Sequence, residues 1–433
     1  MSKIIEPRLP SGFCDWDSNQ AMARRRVLQI IEEQYLLMGS TPLETPAVEY
    51  EDVLIGVEDY SKQLYRVVRR GTDDGEEVEK NPLALRFDLT VPLARYVAAH
   101  PELPMPFIRH QVGQVWRGER KQQGRYHEFT QFDIDIVGTS SLVADAQILA
   151  TMYNVMTALV GDRFVIKYSH RGLLNELLDK SGISSERHEE VMRLMDKFDK
   201  AGVEGTKKLL VDSRVSSEVA KNLVAILQGK VSTSDLKAMT EVNNLRELIG
   251  ALGVPASHCK FDPAIVRGLG YYTGPVWETV LLDAPEFGSV YSGGRYDNLL
   301  ERFGSRSLPA TGTSIGVDRL MAALEKLGKL KEIVSGGVQV VVVNFGEEFI
   351  SEQLKMVADL RKVGIRTEFY LGKEKGLGQQ IGYAEGRGAK IVVLYGTDEQ
   401  KEKKVTLKNL ATKEQIQVSV TDVVSAIRRL LHI

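Results

Sequence analysis

The stretch FTQFDIDIVG, residues 129–138, puts the tightest constraint on what this chain can fold into. Its residues alternate with the two-residue period of a strand, so Gln131, Asp133 and Asp135 share one face. Acidic side chains on an interior strand are costly unless they are paired. The segment therefore predicts either a polar pocket built on a sheet or an exposed polar face. FIRHQVGQVWRGE, residues 107–119, also reads as a strand, and the basic loop KQQGRY, 121–126, lies between the two.

Around this pair the chain alternates between helical and strand patterns. Residues 17–38 read as an amphipathic helix, with Val27, Ile30, Ile31, Tyr35 and Leu36 at helical spacing and Gly39 placed to stop it. TPLETPAVEY, 41–50, looks like a strand broken at Pro46. Residues 63–70 and 83–88 read as strands joined by the polar turn GTDDGEE, and 142–160 as a helix. The region 172–255 is rich in Lys, Glu, Leu and Ser with helical periods, and reads as a helical insertion. Strands return at 275–283 and 288–293, and ATGTSIGVDRLMAALEKLG is a strand running into a helix. KEIVSGG, 331–337, is expected to be a linker. Beyond it, VQVVVVNF, a helix through LRKVG, RTEFYL, a helix around GQQIGYAEGRG, and KIVVLYG alternate as βαβαβ, which predicts a small parallel-type α/β domain.

With 433 residues, two to four modules are expected. The formal net charge of -2 neither points to nor excludes a nucleic-acid partner, because charge is local. Residues 336–433 hold 15 Lys and Arg against 12 Asp and Glu, a net +3. Within them KEKK, 401–404, is placed on a hairpin, where charge alone favours a solvated turn. The cysteines, Cys14 and Cys259, give neither a metal-ligand spacing nor a disulfide framework, which fits a reducing cytosol. MSKIIEPRLPSGFCDW lacks an apolar core of signal-peptide length, and no apolar run is expected to be long enough to span a membrane.

Four arginines sit beside glycines or tight turns, where a backbone approaches a ligand closely: Arg117, Arg125, Arg267 and Arg319. A guanidinium stays charged when desolvated and matches phosphate and carboxylate oxygens. Each alone reads as readily as a surface ion pair; several together suit a polyphosphate. In LRFDLTVPLARY, 85–96, Asp88 and Thr90 lie just past a short strand that Pro92 ends. Asp88 either holds an ammonium group or caps the helix that follows. In VRGLGYYTGPVWETV, 266–280, Gly268, Gly270 and Gly274 do not make a dinucleotide-binding GxGxxG.

Taken in order, these segments resemble the class II aminoacyl-tRNA synthetases, and within them the histidyl-tRNA synthetase family. TPLETPAVE is similar to the Pro-bearing first class motif, which forms the dimer interface in that class. VWRGERKQQGRYHEFTQFDIDIVG is similar to the second motif and GTSIGVDRL to the third. RGLGYYTGPVWE and YSGGRYDNLL resemble the two signatures of the histidine enzymes, and LRFDLT the amino-acid-binding segment of their archaeal and eukaryotic-like branch.

The resemblance implies an α+β fold. It places a class II core of antiparallel sheet flanked by helices over residues 1–330, interrupted by the helical insertion, and an anticodon-binding α/β domain over 331–433. It implies a cytoplasmic homodimer that joins L-histidine to tRNA(His) using ATP and Mg2+. Asp88, Leu89 and Thr90 would bind histidine, with Gln131 beside its α-amino group and Asp135 and Tyr272 on the imidazole nitrogens; Tyr271 belongs to the same pocket. Arg117 would grip the α-phosphate, Glu119 would lie near the adenine, and Arg125 and Arg319 would hold the outer phosphates. Arg267 would touch both the histidine carboxylate and the α-phosphate, and Arg120 and Gln122 the tRNA acceptor end. No protein ligand for a metal is assigned. The family signature carries an acidic residue where this chain has Gly270, which removes a neighbour of Arg267 and no implied substrate contact. The alternative is a non-catalytic synthetase paralogue, the regulatory subunit of ATP phosphoribosyltransferase.

Overall fold

The computed structural model describes residues 5–55, 63–68, 81–118, 126–230, 236–266, 272–304, 307–333, 337–372 and 376–433. The chain divides into two compact units; the larger contains residues 24–333 and the smaller 334–433.

The larger unit is α+β. Its main sheet uses β1 (Thr41–Pro42), and a second, three-stranded sheet is made of β2 (Val48–Tyr50), β3 (Arg66–Val67) and β4 (Leu83–Leu85). Pro46 falls in the break between β1 and β2. The main sheet continues with β5 (Phe107–Trp116), β6 (Glu128–Val137), β7 (Phe164–His170), β8 (Cys259–Phe261), β9 (Pro275–Leu281), β10 (Ser289–Arg295) and β11 (Ala310–Gly316). Its eight strands run in the order β1-β5-β6-β11-β10-β9-β7-β8. Pairing is antiparallel from β5 to β7 and parallel only where the short end strands β1 and β8 join.

Strand alternation gives this sheet two unlike faces. Phe132, Ile134, Ile136, Ile315, Tyr291 and Trp277 fall on one and are buried. The helices Ser18–Leu37 and Leu142–Val160 cover that side. Val27, Ile31 and Tyr35 are the buried stripe of the first helix, whereas Leu36 is exposed. Tyr35 meets the Phe132 ring edge-on at 4.9 Å, and its hydroxyl lies 2.7 Å from that of Tyr291. The second helix spans the residues its periodicity predicts. It is also long and apolar enough to cross a membrane by length and composition, contrary to the sequence expectation. Its apolar surface is spent inside the fold, where Ile148, Leu149, Met152, Val155 and Met156 are buried. It carries one buried charge, Asp145, which takes the Nε of Arg295 at 3.2 Å and the Thr311 hydroxyl at 2.7 Å.

The insertion is helical, with helices Arg171–Lys180, His188–Met195, Phe198–Asp212, Ser217–Leu227 and Ala238–Ala251. Pro92 does not end a strand. It occupies the first turn of the helix Thr90–Ala99, where a missing N–H costs no hydrogen bond. The expected linker begins as a short helix, Leu330–Ile333.

The smaller unit has a five-stranded sheet of β12 (Val340–Val342), β13 (Thr367–Phe369), β14 (Ile391–Leu394), β15 (Lys404–Asn409) and β16 (Gln415–Ser419), in the order β13-β12-β14-β15-β16. The first three strands are parallel, and a hairpin adds the last two antiparallel. The VVVV run is buried on both sides, as a central parallel strand requires. Val340 and Val342 pack with Leu360 and Ile427, and Val341 and Val343 with Tyr370 and Ala384. KEKK is not the hairpin turn. Lys401 and Glu402 end the helix Thr397–Glu402, Lys403 takes a left-handed conformation at φ 53°, and Lys404 starts β15. The hairpin turns instead between Asn409 and Gln415.

Candidate active site

The opposite face of the main sheet is polar. Register sets Arg109 against Asp135, Gln111 against Asp133 and Gly113 against Gln131 across β5 and β6. Across β6 and β11 the same three β6 residues meet Gly312, Ser314 and Gly316. Because β6 has neighbours on both sides, its acids are not an exposed edge; Asp133 and Asp135 are 1% and 2% exposed. The exposed-face reading of FTQFDIDIVG therefore fails, and the acids lie on a buried polar face.

Asp135 is pinned twice: its Oδ2 pairs with Arg109 Nη2 at 2.9 Å, and its Oδ1 accepts the Tyr296 hydroxyl at 2.5 Å. Gln131 donates to Ser314 Oγ at 2.7 Å. Two buried acceptors, Gln131 Oε1 and Asp133 Oδ1, have no hydrogen-bond partner among the described residues. Burial pushes the Asp133 carboxyl up to about 7; Arg109 opposes this and Asp135 adds to it. Burial also raises Asp135, against the pull of Arg109 and Tyr296.

Two glycines make room on this face. A Cβ on Gly312 would lie 1.9 Å from Asp135 Oδ1, and one on Gly294 would lie 2.9 Å from Tyr272 Cδ1. Tyr272 thus lies over the strand next to the one beside Asp135, and packs against a cluster that includes Leu93, Val97, Tyr296 and Leu300. Asp88 stands one residue before the N-cap, Leu89, and its Oδ1 accepts Val91 N at 3.0 Å in the first turn of Thr90–Ala99, a capping contact. Burial raises its carboxyl, while that backbone bond and then Arg117 and Arg109 lower it. The Leu89 carbonyl accepts Arg109 Nη2 at 3.2 Å. Arg86 fixes the segment from below, donating to the Thr45 and Gln114 carbonyls, each at 2.8 Å.

Arg117 follows β5, donates its Nε to the Phe87 carbonyl at 3.1 Å, and lies over the rings of Phe87 and Phe129 at 4.3 and 5.1 Å. Among the described residues no carboxylate forms an ion pair with it. Arg319, in the first turn of the helix Val317–Lys326, donates to the Ser289 carbonyl at 2.8 Å. Its neighbour Asp318 accepts Thr130 N at 2.5 Å and pairs with Arg24 at 3.5 Å, which fastens this helix to β6.

Residues 12–320 match the family model described as histidyl-tRNA synthetase. The chain belongs to the histidyl-tRNA synthetase family. Residues 339–430 match the model for an anticodon binding domain. A histidine--tRNA ligase of Wolinella succinogenes is 38% identical, with 95% of this chain and 96% of the relative covered. One from Helicobacter pylori is 35% identical at the same coverage. The crystal structure of histidyl-tRNA synthetase from Nostoc sp. superposes with a TM-score of 0.85 at 31% identity, covering 98% of this chain and 100% of that one.

Of the residues that the histidyl-tRNA synthetase resemblance singles out, the fold brings Asp88, Leu89, Thr90, Gln131, Asp135 and Tyr272 to this polar face or its rim. Arg117 lies at its edge, beside Phe87 and near the Asp88 carboxyl. Glu119, Arg120, Gln122, Arg125, Arg267, Gly270 and Tyr271 lie outside the described residues, as does the turn GTDDGEE. Sequence reasoning missed Arg109, Tyr296 and Ser314. A signal existed for Arg109: it stands two residues from Gln111 on a strand and is a charge in the same alternation that exposed Asp133 and Asp135.

Proposed function

We infer that this chain is a histidine–tRNA ligase. The reading rests on one arrangement above all: a buried carboxylate, Asp135, held rigidly on a sheet face near Tyr272, with the cation of Arg117 at the edge of the same site. An acceptor and a phenol can satisfy both nitrogens of a neutral imidazole. Such a pocket leaves buried groups unpaired when another amino acid enters, which discriminates strongly without editing.

In this reading Asp88, Thr90 and Gln131 hold the α-ammonium. The histidine carboxylate attacks the α-phosphorus of ATP, the bond to the β-phosphate oxygen breaks, and pyrophosphate leaves. The nucleophile is already ionised, so no general base is needed. Catalysis is positioning plus fixed positive charge where anionic charge gathers. Arg117 and Arg267 supply it at the α-phosphate; Arg125 and Arg319 hold the outer phosphates, and Glu119 the adenine. A hydroxyl of the tRNA 3′ end then attacks the carbonyl carbon of the adenylate and AMP departs. Arg120 and Gln122 are assigned to the acceptor end, and residues 331–433 to the anticodon. Mg2+ would accompany the ATP phosphates; among the described residues no three His, Cys, Asp or Glu side chains are grouped to hold a metal. A cytoplasmic homodimer completes the proposal.

The anticodon-domain match and the curated ligases disfavour the regulatory-paralogue alternative. The test is ATP–pyrophosphate exchange with each standard amino acid, followed by charging of tRNA(His). Exchange with histidine alone is expected. Exchange with a different amino acid, or histidine binding without exchange, overturns the reading. Arg267→Ala is expected to abolish exchange in a protein that still unfolds at the wild-type temperature.

A further inference from the structure

Arg109 is wholly buried and joins two segments that the proposed function places at opposite ends of the amino acid. Its Nη2 lies 2.9 Å from Asp135 Oδ2 and 3.2 Å from the Leu89 carbonyl, and its Nη1 lies 3.4 Å from Gln111 Oε1. Leu89 sits between Asp88 and Thr90, the ammonium end; Asp135 is the ring end. We propose that Arg109 is a positioning residue that sets the separation and orientation of these two ends, so that histidine affinity depends on its guanidinium fork. This rests on the histidine–tRNA ligase reading.

Three observations carry it. Arg109 and Asp135 are direct partners in the strand register, so the pair is fixed by the sheet and not by a mobile loop. A carboxylate offers about four lone-pair sites; the Tyr296 hydroxyl occupies one and Arg109 sits beside Oδ2 as a paired charge, which leaves acceptor capacity for a ring N–H. A guanidinium presents several donors in a planar fork, whereas an ammonium is a point charge. Nη2 reaches the carboxylate and the Leu89 carbonyl while Nη1 turns to Gln111 Oε1, a spread that the point charge of an ammonium does not match. Without the fork, Asp135 would be a buried charge held by one hydroxyl, and the Asp88–Thr90 segment would lose a tie to the sheet.

The experiment compares wild type, Arg109→Met and Arg109→Lys by pyrophosphate exchange and by calorimetric titration of L-histidine without ATP. Arg109→Met is expected to weaken histidine binding and raise its KM roughly tenfold or more, with the ATP KM within about twofold. Arg109→Lys should recover part of the loss. Unchanged histidine affinity in folded Arg109→Met overturns the proposal. So does an equal rise in both KM values with a lowered melting temperature, which marks a purely structural role. If Arg109→Met does not fold, Arg109→Lys decides: a several-fold weaker histidine affinity supports the fork, and an unchanged one refutes it. Wild type that binds histidine without exchange sinks the ligase reading, and the titrations still judge Arg109.

Discussion

Gly294 faces Gly312 directly across β10 and β11, and the side chain that each lacks is replaced by part of the pocket. A methyl at Gly312 would collide with Asp135 Oδ1 at 1.9 Å and also meet the Ile134 carbonyl at 2.8 Å. The second contact is backbone and cannot swing aside. Gly312→Ala is expected to cost about 1–3 kcal/mol by overpacking and to raise the histidine KM more than the ATP KM. Denaturant unfolding and exchange kinetics on one preparation check both; a variant with wild-type values for each contradicts the crowding.

Asp133 predicts a pH signature. Its carboxyl is pushed from an ordinary 3.8 up to about 7, first by burial, with Arg109 pulling down and Asp135 pushing up. Between those values the folded chain keeps a proton that the unfolded chain releases. By linkage, this group's contribution to stability falls as pH rises through that window and is level above it. Asp133→Asn does not titrate, so its melting temperature relative to wild type should climb between about pH 4 and about pH 7 and level off above that. A difference that stays flat across that range would rule the shift out.

Arg117 should separate chemistry from folding. Among the described residues its hydrogen bond is to one carbonyl and it lies over two ring faces, and it steadies the Asp88 carboxylate only through space. Arg117→Ala is expected to slow exchange by about 100-fold to 1000-fold, the scale of losing one preorganised donor to a developing anion. Its melting temperature should stay near wild type. Retained exchange would remove Arg117 from the α-phosphate.

Asp318 should do the reverse. It is buried and accepts the Thr130 amide, so Asp318→Ala strands a backbone donor and takes the carboxylate from Arg24, which keeps the Thr130 hydroxyl. A loss of about 1–3 kcal/mol is expected in urea titration. An unchanged midpoint would mean that water serves these groups as well.

What the sequence makes legible follows from range. The helix Leu142–Val160, the alternation of β6 and the βαβαβ tail are local patterns, and they appear where their periods place them. The capping role of Asp88 is local too. The Arg109–Asp135 pair is not: it needs the β5–β6 register, which neither segment encodes alone. Tyr296 reaches Asp135 from 161 residues away along the chain. KEKK misleads because a short helix ends inside it, and charge says nothing about where a backbone turns left-handed. Leu142–Val160 passes for a membrane span because sheet and membrane reward the same apolar surface; Asp145 is the clue that it faces protein.

The Asp145–Arg295 pair has a consequence for how this chain can change over generations. Arg295 points into the helix side of the sheet, while its neighbour Tyr296 touches Asp135. Losing Arg295 leaves Asp145 buried with no cation, a cost of about 3–5 kcal/mol, and losing Asp145 leaves Arg295 only the longer contact to Asp297, whereas replacing both with apolar residues need not be harmful. The route between two tolerable states therefore crosses an intolerable one. The pair is an epistatic lock, and the Tyr296–Asp135 corner inherits its resistance to drift from a bond on the far side of the sheet.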